Sequence, residues 1–224
     1  MLGTGVVGRT LTEGLASSGH HVVIGTRDVG ETMARSEPGP MGQEPFSQWR
    51  FRNPGIDLTT YSQAARRSEL AVNATAGTGS LAALSEAGPE HLAGKVLVDV
   101  ANPLDFSQGM PPLLSVVNVD SLAEQIQRAL PETSVVKALN MVNHQVMVNP
   151  SRVPGRHDTF IAGNDDQAKE TVRALLRGLG WKAKSIIDLG GIRAARGMEM
   201  YLPLWLTMLG QFGTPDFNIR IVRG

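Results

Sequence analysis

Three glycines near the amino terminus have the spacing of a phosphate-binding turn, GxGxxG in the sequence "GTGVVG". In a dinucleotide-binding unit the first glycine permits a tight turn and the second lets the backbone approach a diphosphate. The third lets the helix pack closely on the strand. The amide groups at the start of that helix then bind the diphosphate without a cationic side chain. The predicted diphosphate site consists of Gly3, Thr4, Gly5, Val6, Val7 and Gly8.

A threonine and an arginine stand where the second strand of such a unit would end. Enzymes that use NAD usually place Asp or Glu there to bind the ribose hydroxyl groups. Thr26 and Arg27 instead offer a hydroxyl donor and a planar cation, which suit the 2′-phosphate of NADP. Asp28 is the competing residue, and its other role would be to cap the next segment or to pair with an arginine. This position therefore predicts NADP in preference to NAD.

Small residues lie at the ends of three further strand-like segments. Hydride transfer between two flat rings requires alignment in a dry cleft more than side-chain chemistry. Ala74, Ala101 and Ala138 leave room for stacked rings, and we assign them to the cofactor site. Alanine near a strand end is also ordinary α/β packing, so both interpretations stay open.

Polar residues follow the same strand-like segments, where open α/β sheets bind their ligands. Asn102 is assigned to the cofactor site, and either Asn102 or Asn140 could bind the nicotinamide carboxamide or the acceptor. The predicted substrate site consists of Pro103, Asn140 and Met141. Each asparagine could instead form a turn.

Histidine chemistry is the remaining possibility for proton transfer. His144 lies in a loop after a strand and could donate a proton to a carbonyl or imine, although a loop histidine is more often simply solvated. No catalytic residue is assigned. The other four histidines lack metal-ligand spacing, and we predict no metal. The chain contains no cysteine, which excludes disulfides, thiolate metal sites and a cysteine nucleophile.

The elements that must position these residues alternate along the chain. Near-continuous Val/Ile/Leu runs between helical patterns predict a parallel sheet covered on both faces. Strands are predicted at 20–26, 69–75, 95–102, 134–140, 158–164, 184–190 and 217–222. Helices are predicted at 9–19, 61–68, 80–88, 121–130, 165–180 and 195–213, and residues 28–57 are read as a short helix plus loop.

The predicted fold class is α/β, a Rossmann-like, doubly wound, mostly parallel sheet with a small C-terminal helical and strand subdomain. We expect an NADP-binding domain over residues 1–155 and a C-terminal subdomain over 156–224. The helix predicted at 195–213 is apolar nearly all round, so we expect it to be buried, as core, dimer interface or acceptor-site wall. Pro203 within it predicts a kink.

Composition limits the partners. The 224 residues carry 21 Lys+Arg and 21 Asp+Glu, a balance that argues against nucleic acid or an anionic membrane as partner. No leader and no apolar run of membrane-spanning length is evident. We expect a cytoplasmic protein whose partners are small molecules.

Only Met1 and Leu2 precede the glycine turn, where a complete strand would normally lie. We interpret this as a first strand cut short by a chain start placed too late. We therefore expect the centre of the sheet to be short at that end, with water or a rearranged residue in the gap.

With the glycine turn, "GTRD", "VVKALN", "AGNDDQAK" and "FNIRIV", the chain resembles, nearly end to end, the NADP oxidoreductases that depend on the deazaflavin coenzyme F-420. Ferric-reductase domains are similar through the Rossmann part, but the terminal helix and strand favour the soluble reductases. The resemblance implies a homodimer that passes a hydride between NADPH and the deazaflavin.

The resemblance also implies roles for particular residues. Residues 3–8 match the diphosphate turn, and 26–27 match a hydroxyl–arginine pair for the 2′-phosphate. Ala74 and Thr75 match residues that line the nicotinamide half, and Ala138 matches a small residue beside it. The segment "AGTGS" at 76–80 departs from the family pattern. A small carbonyl, imine or quinone as acceptor, or a non-catalytic NADP(H)-sensing module, remains the alternative; hydride stereochemistry and direction stay open.

Overall fold

Short apolar runs form the strands at the centre of the molecule. The computed structural model describes residues 1–39 and 42–224. Its strands are β1 (Val23–Thr26), β2 (Asp57–Thr60), β3 (Leu70–Asn73), β4 (Val96–Asp99), β5 (Leu104–Asp105), β6 (Leu113–Leu114), β7 (Ser134–Ala138), β8 (Thr159–Gly163) and β9 (Ile186–Asp188).

Helices connect these strands. They are α1 (Val6–Ser17), α2 (Val29–Ala34), α3 (Phe46–Arg52), α4 (Tyr61–Arg67), α5 (Ser80–Ala87), α6 (Pro89–Leu92), α7 (Leu122–Ala129), α8 (His144–Val148), α9 (Asp166–Gly178), α10 (Ala195–Met200) and α11 (Leu202–Phe212). One-turn helices lie at Gly77–Gly79, Pro150–Arg152, Ala183–Ser185 and Ile192–Ala194.

The strand order is that of a doubly wound sheet. Strands β1 and β2 pair in parallel on one side, and β3, β4 and β7 pair in parallel on the other. Leu2 joins the two halves through parallel bridges to Gly25 and Asn73. Beyond β7 the sheet continues with β8, which is antiparallel to it, and β9. The order in which strands are added to the sheet changes side at Leu2, as in doubly wound sheets, and this confirms the predicted Rossmann-like fold class.

Apolar side chains cover both faces of the sheet. One core cluster contains Leu11 of α1 and Val172 of α9, and the other contains Leu84 of α5 and Ile126 of α7. Two buried layers on opposite faces are what a parallel sheet requires. Because β8 extends the same sheet, the expected boundary near residue 155 falls between two paired strands.

The strand segment before the glycine turn, Met1 and Leu2, is short, as expected. Leu2 donates its amide to Val72 O (2.8 Å), and Ala74 donates to Leu2 O (2.9 Å). The terminal ammonium of Met1 is buried and donates to Val23 O at 2.7 Å. Beyond it a cavity of about 660 Å³ opens between the starts of the neighbouring strands, with Leu70 and Val96 among its lining residues. The cavity lies at the sheet edge opposite the glycine turn.

The expectation of a strand in the chain's last segment is wrong. Residues 217–222 form no strand, because the side chains of Asn218 and Asp158 bind the backbone groups that a ladder would use. Asp158 donates only its amide to Ile219 O (2.9 Å). The segment therefore lies beside β8 without pairing along it.

The C-terminal apolar helix is divided in two and only partly buried. It breaks at Tyr201, just before Pro203, in agreement with the predicted kink. In α11 only Leu202 is buried, while Leu204 is 55% and Phe212 is 56% exposed. Most of this helix is therefore not core of the single chain, and its burial as a dimer interface or acceptor-site wall stays a prediction. In the part of the chain that the structure describes, no helix has the length and hydropathy to cross a membrane.

Candidate functional site

The three glycines have different surroundings and therefore different roles. Gly3 has φ +119°, and a Cβ there would lie 2.5 Å from Ala74 O. A Cβ on Gly8 would clash with Gly3 O. At Gly5 a Cβ would meet no atom within 4 Å. Gly3 and Gly8 are therefore required by the fold, whereas Gly5 leaves free space that a ligand can approach.

Helix α1 begins directly at this open space. Gly5 occupies its N-cap position, no side chain caps it, and no acidic residue lies in its first turn. The first amide groups of a helix have no partner within the helix and carry a partial positive charge. Arg9 Nε donates to Thr4 O at 2.8 Å and fixes the turn from behind. The site has the features that a diphosphate requires.

The three residues at the end of β1 differ in exposure and in hydrogen-bond partners. The Thr26 hydroxyl is buried and lies 2.8 Å from Thr32 Oγ1. The Arg27 side chain is 66% exposed, with its Nε 3.3 Å from Glu86 Oε1. Asp28 caps α2 by accepting from Glu31 N at 2.7 Å. Asp28 thus has the capping role that was its alternative, and Arg27 is the exposed cation at this strand end.

Strand ends β3, β4 and β7 come together beside the glycine turn. A Cβ added at Gly3 or Gly8 would lie within 4 Å of Ala74, while Ala101 and Ala138 are buried. Thr75 Oγ1 donates to Asn73 Oδ1 at 2.7 Å, so its hydroxyl holds the end of β3. The structure therefore places the predicted nicotinamide-lining residues at one edge of the sheet.

The two asparagines bind each other. Asn140 Nδ2 donates to Asn102 Oδ1 (2.9 Å), and Asn102 Nδ2 donates to Asn140 O (2.9 Å). Asn140 Nδ2 also donates to Met198 O of α10 at 3.0 Å. The preceding Leu139 has φ +60°, an unfavourable backbone conformation that recurs at functional sites.

The neighbouring residues complete this edge. Pro103 is buried, and Met141 packs against the cluster that contains Met198. A Cβ on Gly77 would clash with Asn102 O, which explains the glycine at position 77.

His144 lies at the start of α8. Its Nδ1 is 2.9 Å from Thr10 Oγ1 of α1. Burial, with a smaller contribution from Arg152, lowers the pKa of His144 below its ordinary value. The imidazole is therefore neutral at pH 7, which makes it a poor proton donor.

Sequence reasoning missed a group of buried charges behind the strand ends. Lys137 Nζ lies 2.8 Å from Asp99 Oδ2 and 2.8 Å from Glu199 Oε1, and none of the three side chains is more than 1% exposed. A charged residue inside each of the apolar runs "KVLVDVAN" and "SVVKALN" was the available signal. The sequence interpretation gives no role to Asp99 or Lys137 themselves.

This doubly wound sheet, with an open glycine turn at a helix start, defines a dinucleotide-binding protein of the Rossmann class. Residues 1–103 match the family model described as "NADP oxidoreductase coenzyme F420-dependent". The chain belongs to this family of NADP-dependent oxidoreductases, and the resemblance noted in the sequence is confirmed.

A crystal structure from Arthrobacter sp. FB24, provisionally named an F420-dependent NADP reductase, is 53% identical with a TM-score of 0.94. The alignment covers 99% of this chain and 97% of that one. The F420-dependent NADP reductase of Methanocaldococcus jannaschii is 32% identical over 134 residues, 59% of this chain and 58% of that protein. Rat metalloreductase STEAP3 is 29% identical over 95% of this chain, which spans only 39% of that relative.

Proposed function

We propose that the chain binds NADP(H) along the glycine turn and transfers a hydride between the nicotinamide and a deazaflavin of the coenzyme F-420 type. The observation that carries this proposal is the free space over Gly5 at the uncapped start of α1. The acceptor is inferred from the relatives named F420-dependent NADP reductase.

Several of the predicted residues have a defined task in this proposal. The first amide groups of α1 bind the diphosphate, and Arg27 binds the 2′-phosphate. Bound NADPH supplies the hydride, and the reduction of the deazaflavin takes up one proton from solvent. The small side chains of Ala74, Ala101 and Ala138 leave space for the rings. The Asn102–Asn140 pair holds the ends of β4 and β7 at a fixed distance.

A deazaflavin acceptor agrees with the chemistry of the site better than a carbonyl or imine. Reduction of a carbonyl oxygen or an imine nitrogen requires a proton donor at the reacting atom. The only histidine predicted for that task, His144, is held neutral by burial. Alignment of two rings makes no such demand on a side chain.

The acceptor is tested by direct competition. Purified protein is mixed with NADPH and, in separate reactions, with oxidised deazaflavin, a quinone, a cyclic imine and a small ketone. We expect oxidation of NADPH with the deazaflavin alone. Oxidation with only one of the other acceptors would replace the deazaflavin in this proposal, and NADPH binding without any oxidation would favour a sensing module.

We also propose that two copies associate through α11. Leu204 and Phe212 of this helix are 55% and 56% exposed, and Phe217 of the tail packs against Phe212 with ring centroids 5.4 Å apart. Apolar surfaces of this kind commonly mark protein–protein contacts. Light scattering should give twice the chain mass of 24.0 kDa. Leu204→Glu should yield the mass of one chain, and an unchanged mass for this variant would contradict the interface.

A further inference from the structure

Three buried polar residues form a row across the parallel strands. Asn73, Asp99 and Lys137 occupy paired register positions on β3, β4 and β7, and all three are fully buried. Asn73 Nδ2 donates to Asp99 Oδ1 at 2.8 Å, and Lys137 Nζ donates to Asp99 Oδ2 at 2.8 Å. Such a row requires precise pairing because every buried polar atom needs a partner.

Glu199 adds a second carboxylate from α10. It lies 2.8 Å from Lys137 Nζ and accepts from the backbone amides of Leu122 (2.8 Å) and Ala123 (3.1 Å) at the start of α7. Asp99 likewise accepts from Asn73, Lys137 and Ala101 N. Each of the two carboxylates is thus held by several hydrogen-bond donors.

The row and Glu199 together carry a net negative formal charge. Burial disfavours the ammonium of Lys137, but the adjacent Asp99 and Glu199 raise its pKa above the ordinary value, so it remains a cation. Two carboxylates and one ammonium sum to a formal charge of −1. The partial positive charge at the start of α7, beside Glu199, offsets part of it. The nearest charges on α7 and α10, Glu124 and Arg196, pair with each other at 2.7 Å.

The row lies directly behind the proposed nicotinamide site. Ala74 follows Asn73, Ala138 follows Lys137, and Lys137 Nζ donates to Ala101 O at 2.5 Å. These three alanines are the residues proposed to surround the nicotinamide ring. A buried charge at this position is screened far less than a surface charge.

We propose that Asp99, Lys137 and Glu199 are positioning residues whose net negative charge strengthens binding of oxidised, cationic nicotinamide relative to the neutral reduced form. This inference rests on the proposed NADP(H) site. Thermodynamic linkage then makes the cluster a determinant of the potential of the bound nucleotide, and of the preferred direction of hydride transfer.

The test compares two substitutions at one position. Glu199→Gln removes the charge and keeps the shape, whereas Glu199→Asp keeps the charge and shortens the side chain. NADPH affinity is measured by its fluorescence and NADP+ affinity by calorimetry. We expect Glu199→Gln to raise the ratio of the NADP+ to the NADPH dissociation constant by about threefold or more. Glu199→Asp should leave this ratio within about twofold of the wild type, even where both affinities fall.

The outcomes separate this inference from the function it rests on. A merely structural role would change both dissociation constants equally, and an unchanged ratio in Glu199→Gln would overturn the inference alone. Failure of the wild-type protein to bind either nucleotide would overturn the proposed function as well. If Glu199→Gln does not fold, Asp99→Asn removes the other carboxylate and should raise the ratio in the same direction. A lower ratio in that variant would also contradict the inference.

Discussion

Arg27 at the end of β1 and Glu86 on α5 form an ion pair, with Nε and Oε1 3.3 Å apart. The pair holds the exposed guanidinium next to the site proposed for the 2′-phosphate. The Glu86 carboxylate also competes with the 2′-phosphate, because both would bind the Arg27 guanidinium.

Arg27→Ala should weaken NADPH binding far more than NADH binding. The lost interaction is a charge-assisted hydrogen bond to a group that only NADPH carries, worth about 1.5–3 kcal/mol. Parallel titrations with both nucleotides measure the difference. As the matched control, Glu86→Gln should tighten NADPH binding slightly, by no more than about 1 kcal/mol, because an exposed ion pair is weak. Equal losses for both nucleotides in Arg27→Ala would show that Arg27 does not bind the phosphate.

Gly5→Val should nearly abolish binding of either nucleotide and leave a folded protein. The added side chain extends into the free space in which the diphosphate would lie. Gly8→Val is the contrasting variant, because its Cβ would clash with the Gly3 carbonyl and should destabilise the fold itself. Circular dichroism melts and nucleotide titrations separate the two effects. Undiminished affinity in Gly5→Val would remove the diphosphate turn from the account.

The buried terminal ammonium predicts a pH dependence of stability for a chain that begins at Met1. Burial lowers its pKa from 8.0 to about 5 in the folded state. Between these values the unfolded chain binds more protons, so the free energy of unfolding rises with pH, by about 4 kcal/mol in all. Urea unfolding at pH 5, 6, 7 and 8 measures this slope. Amino-terminal acetylation should remove this contribution, and identical slopes with and without acetylation would contradict the burial of the ammonium.

Extending the strand segment at Met1 and Leu2 towards the amino terminus should raise both the stability and the nucleotide affinity. Four to six added apolar residues before Met1 would continue between the starts of β1 and β3, along the cavity there, and pair with backbone groups of these two strands. Each unpaired buried group that gains a partner contributes about 1–3 kcal/mol. The glycine turn, which now follows only Met1 and Leu2, would also be held more rigidly. Thermal melts and NADPH titrations compare the two chains, and coincident curves would contradict the prediction.

The central strands and the glycine turn could be predicted because local sequence determines them. Strands buried on both faces are near-continuous apolar runs, and β3, β4, β7 and β8 lie within their predicted segments. Strand β2 was missed because it is an edge strand with one apolar residue in "DLTT". Helix α3 was likewise not predicted, because its segment is rich in glycine, proline and arginine and shows no clear helical period.

Contacts between distant residues account for what the sequence did not show. The buried position of Lys137 depends on Asp99 and Glu199, which are 38 and 62 residues away in the chain. The apolar composition of α11 predicts that its surface is buried, but composition does not specify against which other surface it packs. Thr26 was chosen for its hydroxyl group, and only the structure shows that this hydroxyl binds Thr32.

The central claim is hydride transfer from NADPH to a deazaflavin on this chain, and a stopped-flow mixing experiment tests it most directly. Wild-type protein with bound NADPH is mixed with oxidised coenzyme F-420, and the absorbance of both compounds is followed. The account predicts that both absorbances fall at one rate with equal stoichiometry, and that Gly5→Val shows neither change. NADPH binding to the wild-type protein with no loss of either absorbance would contradict it.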